Sequence, residues 1–456
     1  MIVAVCLFLV VLGTAWAQQP APVSPTVPSP TITPVRPRLA TITPGSLGTS
    51  HNGEKNDTDN KNGSAKKENV VELSLGDCIA IALERNPGLR AVRSSQQATG
   101  TGLTALNNIG RIGSLLRPDL QIRKEQASRG VIAAAAAVQQ KHNEIIHDVT
   151  RMYYTAVYAH QQSLIADDVL ALIELTVKIA QDQLNSDTPR GMTRPKLIMM
   201  QLVGLDEVEL LRDKAKNGEA RAYAGLRMLM AMQDESFVFR VKDKELPLMK
   251  QVDALTQARV VEMALCNRPE LALMAAGTDA FRLEVYAQAK VRFSRSVATL
   301  ASGSDIHSAI IPSANRSPGQ EYRPEPTAPE MPPQVHGRPA DRVARVKAYS
   351  QRADGAYESL RNLIELEATE TYLFFKLSQE AMIVGKRKFT RGRDLMTSTQ
   401  DAVNNPNAPR EDIVRGYATA AKAQSDYVES VFQYLLALTA LERVTAGGVK
   451  PEFPDR

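Results

Sequence analysis

LSLGDCIAIALERNPGLR, residues 73–90, decides the fold once it is set against LTQARVVEMALCNRPELA, residues 255–272. The two align without a gap, 182 residues apart, and Leu73/Leu255, Ala82/Ala264, Leu83/Leu265, Pro87/Pro269 and Leu89/Leu271 coincide. In each, a short amphipathic run meets a proline. Proline suits the first turn of a helix, where its missing N–H is not needed. Each stretch therefore predicts a short helix followed at once by a second helix that starts at the proline. Asn86 is the natural cap of the first such start.

The match continues in order along the chain. VTRMYYTAVYAHQQ, from Val149, parallels ATETYLFFKLSQEA, from Ala368, with Tyr153 facing Tyr372. AYAGLRMLM, from Ala222, parallels ALTALERVT, from Ala437. The second copy carries about 37 extra residues, which fall where the proline-rich stretch 302–342 lies. Of the 26 prolines, eight lie in residues 18–50 and eight in 302–342. A helix interior tolerates proline poorly, so the proline-free stretches 119–188, 196–246, 270–311, 340–405 and 410–450 are where long helices can run. From Val138 to Leu184, steps of four and three land on apolar residues at twelve of fourteen positions. That is a sustained heptad seam. The seam's middle is built from Ala156, Ala159, Ser163 and Ala166, which permits close helix approach. A helix over 131–184 would be roughly 80 Å long, far beyond an ordinary globular helix. Proline-marked breaks at NSDTPRGMTRP (185–195) and VNNPNAPRED (403–412) turn each copy into a helical hairpin.

Residues 1–17, MIVAVCLFLVVLGTAWA, read as a signal peptide with cleavage after Ala17. Residues 18–70 are rich in Pro, Thr and Ser and then polar, a leader that cannot bury enough apolar surface to fold. The organisation predicted is then a first helical repeat at 71–254, a second at 255–446 with its insert at 302–342, and a C-terminal tail at 447–456. No later stretch approaches the length of a transmembrane helix. A net charge of +5 with 5% aromatics lacks the dense basic patch of a nucleic-acid binder. Cys78 and Cys266 are too few for a disulfide framework, and the sequence leaves open whether they pair.

These landmarks resemble the TolC-type outer-membrane efflux proteins. The resemblance rests on Leu73-Ser74-Leu75 through Ala82-Leu83 with Asn86-Pro87-Gly88-Leu89, on Asn267-Arg268-Pro269-Glu270-Leu271, and on YLLALTALERVTAGG from Tyr434. It implies a homotrimer in which each chain gives four helical strands to a tube across the periplasm. It also implies a shared outer-membrane β-barrel and an inner-membrane transporter joined through periplasmic adaptors. The expected function is passive efflux of small molecules or exported substrates, driven by that pump. One departure stands out. Residues 96–130 are too short and wrongly patterned for two spanning strands, and RFSRSVATL and DIHSAII are weak candidates in the second half. The expected fold is mainly α: two tandem repeats of long antiparallel hairpins forming a trimeric α-barrel, with a reduced or absent β-barrel. The alternative is a periplasmic coiled-coil scaffold without channel activity.

No phosphate-cradling loop, nucleophile elbow or zinc pattern appears, so neither an enzyme nor a cofactor is expected. His142 and His147, five residues apart, diverge on a helix and do not form a metal pair. Tyr153, Tyr154, Tyr158, Tyr372, Phe374 and Phe375 are read as interhelical packing. The resemblance places the periplasmic mouth and adaptor docking at the hairpin turns, which offer Asp187, Arg190, Asp401, Arg410, Glu411 and Asp412. Carboxylates repeated around a narrow mouth select against anions; the bland reading is that turns are polar because they are exposed.

Overall fold

The computed structural model describes residues 71–109, 117–186, 192–232, 238–249, 255–291, 337–403, 405 and 408–456. The predicted signal peptide and leader, both strand candidates of the second half, most of the proline-rich insert, Asp187 and Arg190 lie outside the described residues.

β1 (Val71–Leu73) leads into α1 (Leu75–Arg85) and α2 (Pro87–Asn107), followed by α3 (Leu120–Leu184). The return runs through α4 (Arg194–Met200), a π-helical turn (Gln201–Asp206) and α5 (Glu207–Leu229). After β2 (Phe239–Val241), the second half repeats the order with α6 (Gln257–Asn267), α7 (Pro269–Lys290), α8 (Pro339–Val403) and α9 (Arg410–Val444). α3 and α8 are each 65 residues long, roughly 100 Å at 1.5 Å per residue. α3 therefore begins eleven residues before the predicted start at Val131. Its first turns are held by Arg123, whose guanidinium meets Glu284 of α7 and donates to Gln126 at 2.8 Å. That tie joins residues 161 apart in sequence. Among the described residues the one sheet is β1–β2, three parallel pairs long.

The long helices lie in antiparallel rows. In one layer α2 packs on α3, α3 on α7 and α7 on α8. In the other, α5 packs on α3, α3 on α9 and α9 on α8, so α5 and α8 are the outer members. α8 and α9 approach closely along much of their length. A Cβ at Gly385 would lie 2.5 Å from Ser430 Oγ, one at Gly392 2.7 Å from Ala423 Cβ, and one at Gly416 2.5 Å from Thr399 Oγ1. Each step of seven down α8 (385, 392, 399) is thus matched by a step of seven back along α9 (430, 423, 416). The first hairpin does the same with Ala159 against Gly218 and Met152 against Gly225. Small residues at every second turn let the backbones approach, and the heptad keeps the seam in line.

Between the layers sits a girdle built around α1, α6, the two strands and the C-terminal tail. Tyr153 and Tyr154 are fully buried, with their rings edge to face at 5.5 Å. Phe453 of the tail packs on Tyr154 at 5.5 Å. Tyr158 stacks on Phe432 at 4.4 Å, and Phe375 lies tilted against Tyr434 at 5.8 Å. The aromatics that the sequence matched between copies make the same tie twice. The Tyr153 hydroxyl donates to Leu73 O at 3.5 Å and the Tyr372 hydroxyl to Leu255 O at 3.3 Å. Cys78 and Cys266, the cysteines among the described residues, are free; Cys78 is buried, which pushes its thiol up to about 12, with Asp77 adding to the rise.

Asp243 sits beside this girdle, its backbone N–H donating to the Tyr153 hydroxyl at 3.3 Å. Burial raises its carboxyl above the usual value, partly offset by Tyr153. A carboxylate disfavoured by folding loses stability as pH rises through its folded pKa. Asp243→Asn is therefore expected to raise Tm at pH 8, with the gain shrinking as pH falls toward the ordinary carboxylate range. A thermal-melt series across that range checks it, and an equal gain at both ends would sink the assignment.

Candidate functional site: hairpin corners, tips and open edges

The residues quoted for the family resemblance are corner pieces. Pro87 is the first residue of α2, and Asn86 Oδ1 accepts from Gly88 N (2.9 Å) and Leu89 N (3.2 Å). Its Nδ2 donates to Leu229 O at 3.2 Å, fastening the end of α5 to the α1–α2 corner, and Leu89 is fully buried. Asn267 does the equivalent in the second half, donating to Thr445 O at 3.4 Å just beyond α9. There the cap position is Arg268, followed by Pro269 and buried Leu271. Arg268 donates to Glu270 at 2.7 and 3.1 Å and to Glu367 of α8 at 2.6 Å, and Glu367 also accepts from Arg443 of α9 at 2.6 Å. All four are buried, so the RPE triplet links three helices through one charge-balanced network. Asn86→Ala removes a cap acceptor and a long-range donor, and is expected to cost about 1–2 kcal/mol in urea unfolding. No measurable change would show that the corner is held elsewhere.

The tips divide the candidates from the turns. Asp401 and Asp412 are exposed. Glu411 pairs with Lys196 of α4 at 2.8 Å, joining the first hairpin to the second. Arg410 is buried instead, and its Nη1 donates to Val403 O at 3.0 Å. It closes the α8 C-terminus across the turn, a structural tie where sequence reading had offered a mouth residue. A basic residue beside a proline turn looks the same in sequence whether it points outward or folds back. Met192, Leu197 and Met200 join Ile173, Val177, Ile413, Val414 and Tyr417 in a tip core shared by both hairpins.

His147, weighed in sequence as a metal ligand, lies with Nδ1 3.3 Å from Thr439 O, between α3 and α9. Among the described residues there is no group of three metal-ligating side chains, and no helix long and apolar enough to cross a membrane.

Sequence reading missed the apolar stripes on the two outer helices. α5 and α8 both expose large apolar side chains, including Leu210 (55%) and Met228 (72%) on α5, and Leu377 (64%) and Leu395 (36%) on α8. The pairings between neighbouring helices set the heights across the row: Gly392 with Ala423, Gln162 with Ser425, Ala159 with Gly218. Carried across, they place Leu377 level with Met228 and Leu395 level with Leu210.

No family model matches the sequence, and no curated protein matches it. Solved structures do match. A membrane protein from Pseudomonas aeruginosa superposes with a TM-score of 0.62 at 12% identity, covering 84% of this chain and 92% of that one. The open state of the Neisseria gonorrhoeae MtrE outer membrane channel gives 0.60 at 14%, covering 82% and 89%. The outer membrane protein VceC from Vibrio cholerae gives 0.59 at 11%, covering 82% and 97%. The fold is that of the TolC-type outer-membrane channels: mainly α, with long antiparallel hairpins in two halves and very little strand among the described residues.

Proposed function

We propose that the chain is one subunit of a passive efflux conduit of the outer membrane and periplasm, closed by three copies. An inner-membrane pump would drive flow through it by way of periplasmic adaptors. The observation that carries this reading is the pair of open edges. An antiparallel row of helices with an apolar stripe on each outer member, at matching heights, buries both stripes when the α5 edge of one copy meets the α8 edge of the next. Such a contact is heterologous, and it ends in a ring where the rotation closes. Three copies supply twelve helices. The likeness to outer-membrane channels supports a conduit over a solid bundle. Nothing in the tube needs to react: the chain's work is to hold a passage open and to present its tips to a partner. Asp401, Glu411 and Asp412 are the tip groups this reading assigns to mouth and docking, with Glu411 already engaged by Lys196.

One observation favours the scaffold alternative. The link from Asn107 to Leu120 holds twelve residues, whereas a membrane-crossing strand alone takes about 9–11. The first half cannot give two such strands to a barrel. The test is mass and conductance together on purified residues 18–456. Trimers giving discrete conductance steps in planar bilayers support the conduit. Trimers without conductance leave the scaffold, and a monomer at micromolar concentration overturns both.

A further inference from the structure

The return of the first hairpin differs from that of the second at one place. α9 is regular from Arg410 to Val444, whereas the corresponding helix is broken by the π turn at Gln201–Asp206. A π turn bonds i to i+5 and holds one residue more than an α turn. Across it Leu197, Met200, Gly204, Val208 and Ala215 face inward. At the centre of this turn Gly204 is wedged against the second hairpin. A Cβ there would collide with Val414 Cγ1 and stand 3.4 Å from Ile173 Cγ2.

Beyond the turn lies α4, seven residues long, and it is apolar on two faces. Leu197 and Met200 are buried in the tip core, while Ile198 and Met199 are about half exposed on the open edge, as are Leu202 and Val203 of the turn itself. Lys196, at its start, is tied to Glu411 by an ion pair at the surface. The wide turn behind α4, where the regular bonding pattern is interrupted, is where local opening is easiest.

We propose that the π turn is the pivot of the first hairpin's tip. The surplus residue lets α4 swing between its seat on α9 and the open edge, with Lys196–Glu411 as the tie of the seated state. The pivot belongs to a single chain and does not depend on the conduit; its use as a gate rests on that reading.

Hydrogen–deuterium exchange on the full chain tests the pivot. Deleting Val203 turns the π turn into an ordinary α turn and leaves the helices on both sides in phase. The deletion is expected to keep the fold and the oligomeric mass while slowing exchange across 198–208 at least tenfold. Gly204→Ala pushes the turn off Val414 and is expected to quicken exchange in 194–206 by a similar factor, with 385–400 unchanged. Unchanged exchange in the deletion variant overturns the pivot, as does loss of fold or assembly, which would show that the residue is not surplus. Should Gly204→Ala fail to fold, Glu411→Gln replaces it, and no quickening in 194–200 then counts against the proposal. Conductance of the deletion variant is read separately: a stiffened tip with unaltered conductance removes the gate and keeps the pivot.

Discussion

Replacing Glu367 by alanine is expected to cost about 3–5 kcal/mol of stability, the range for breaking a buried ion pair by removing one partner. Glu367 is 2% exposed and accepts from Arg268 and Arg443, both at 2.6 Å. Without it, Glu270 is the one carboxylate of that group against two buried guanidinium groups. Glu367→Gln keeps the size and an acceptor oxygen but not the charge, and should lose less. Replacing Glu367 and Arg443 together by glutamine and methionine should recover part of the loss, because the uncompensated charge is gone. Urea unfolding of the three variants decides the matter. A loss below about 1 kcal/mol for alanine would mean that water reaches the network and that the RPE triplet does not hold α6–α7 to α8 and α9 through charge.

The second large effect is steric. Gly392→Leu places a branched side chain where even a Cβ would be 2.7 Å from Ala423 Cβ and 3.4 Å from Ala420 O. One contact is backbone and the other the root of a side chain, so α8 and α9 must part. We expect a loss of about 3 kcal/mol or more, at the upper end for overpacking, despite the roughly 0.5–1 kcal/mol that leaving glycine returns in a helix. Gly355, on the same helix, has nothing within 4 Å of the equivalent position. Gly355→Ala should therefore stabilise by about 0.5–1 kcal/mol. Opposite signs from two glycines of one helix would locate the close seam. The same sign from both would remove it.

Much of this architecture is legible in one dimension because its punctuation is local. Proline at 87 and 269 begins a helix at each place, and the tyrosines matched between copies at 153 and 372 do the same job. Contacts that depend on where a side chain points leave no such trace. The start of α3 depends on Arg123 reaching Glu284, and the cap on α8 on Arg410 folding back to Val403. Periodicity cannot show either. The π turn escapes for another reason: a proline-free stretch with apolar steps of three and four reads as unbroken helix, and one surplus residue barely disturbs the count. The exposed stripes of α5 and α8 are equally hidden. An apolar residue looks alike in sequence whether its own chain or a second copy covers it.

The steps of seven that pair α8 with α9 also govern how the hairpin can change in length. An insertion or deletion on one strand alone slides every glycine off its partner. Removing seven residues from each strand at the same height, 386–392 with 423–429, brings Gly385 opposite Ser430 above the cut and Thr399 opposite Gly416 below it, as before. Made in both hairpins at the same height, because α9 also packs on α3, such cuts or extensions change the bundle like a telescoping rule in clicks of roughly 10 Å, each leaving its seams as they were. Its reach becomes a quantity separable from its stability, open to adjustment wherever two mated turns are added or lost together.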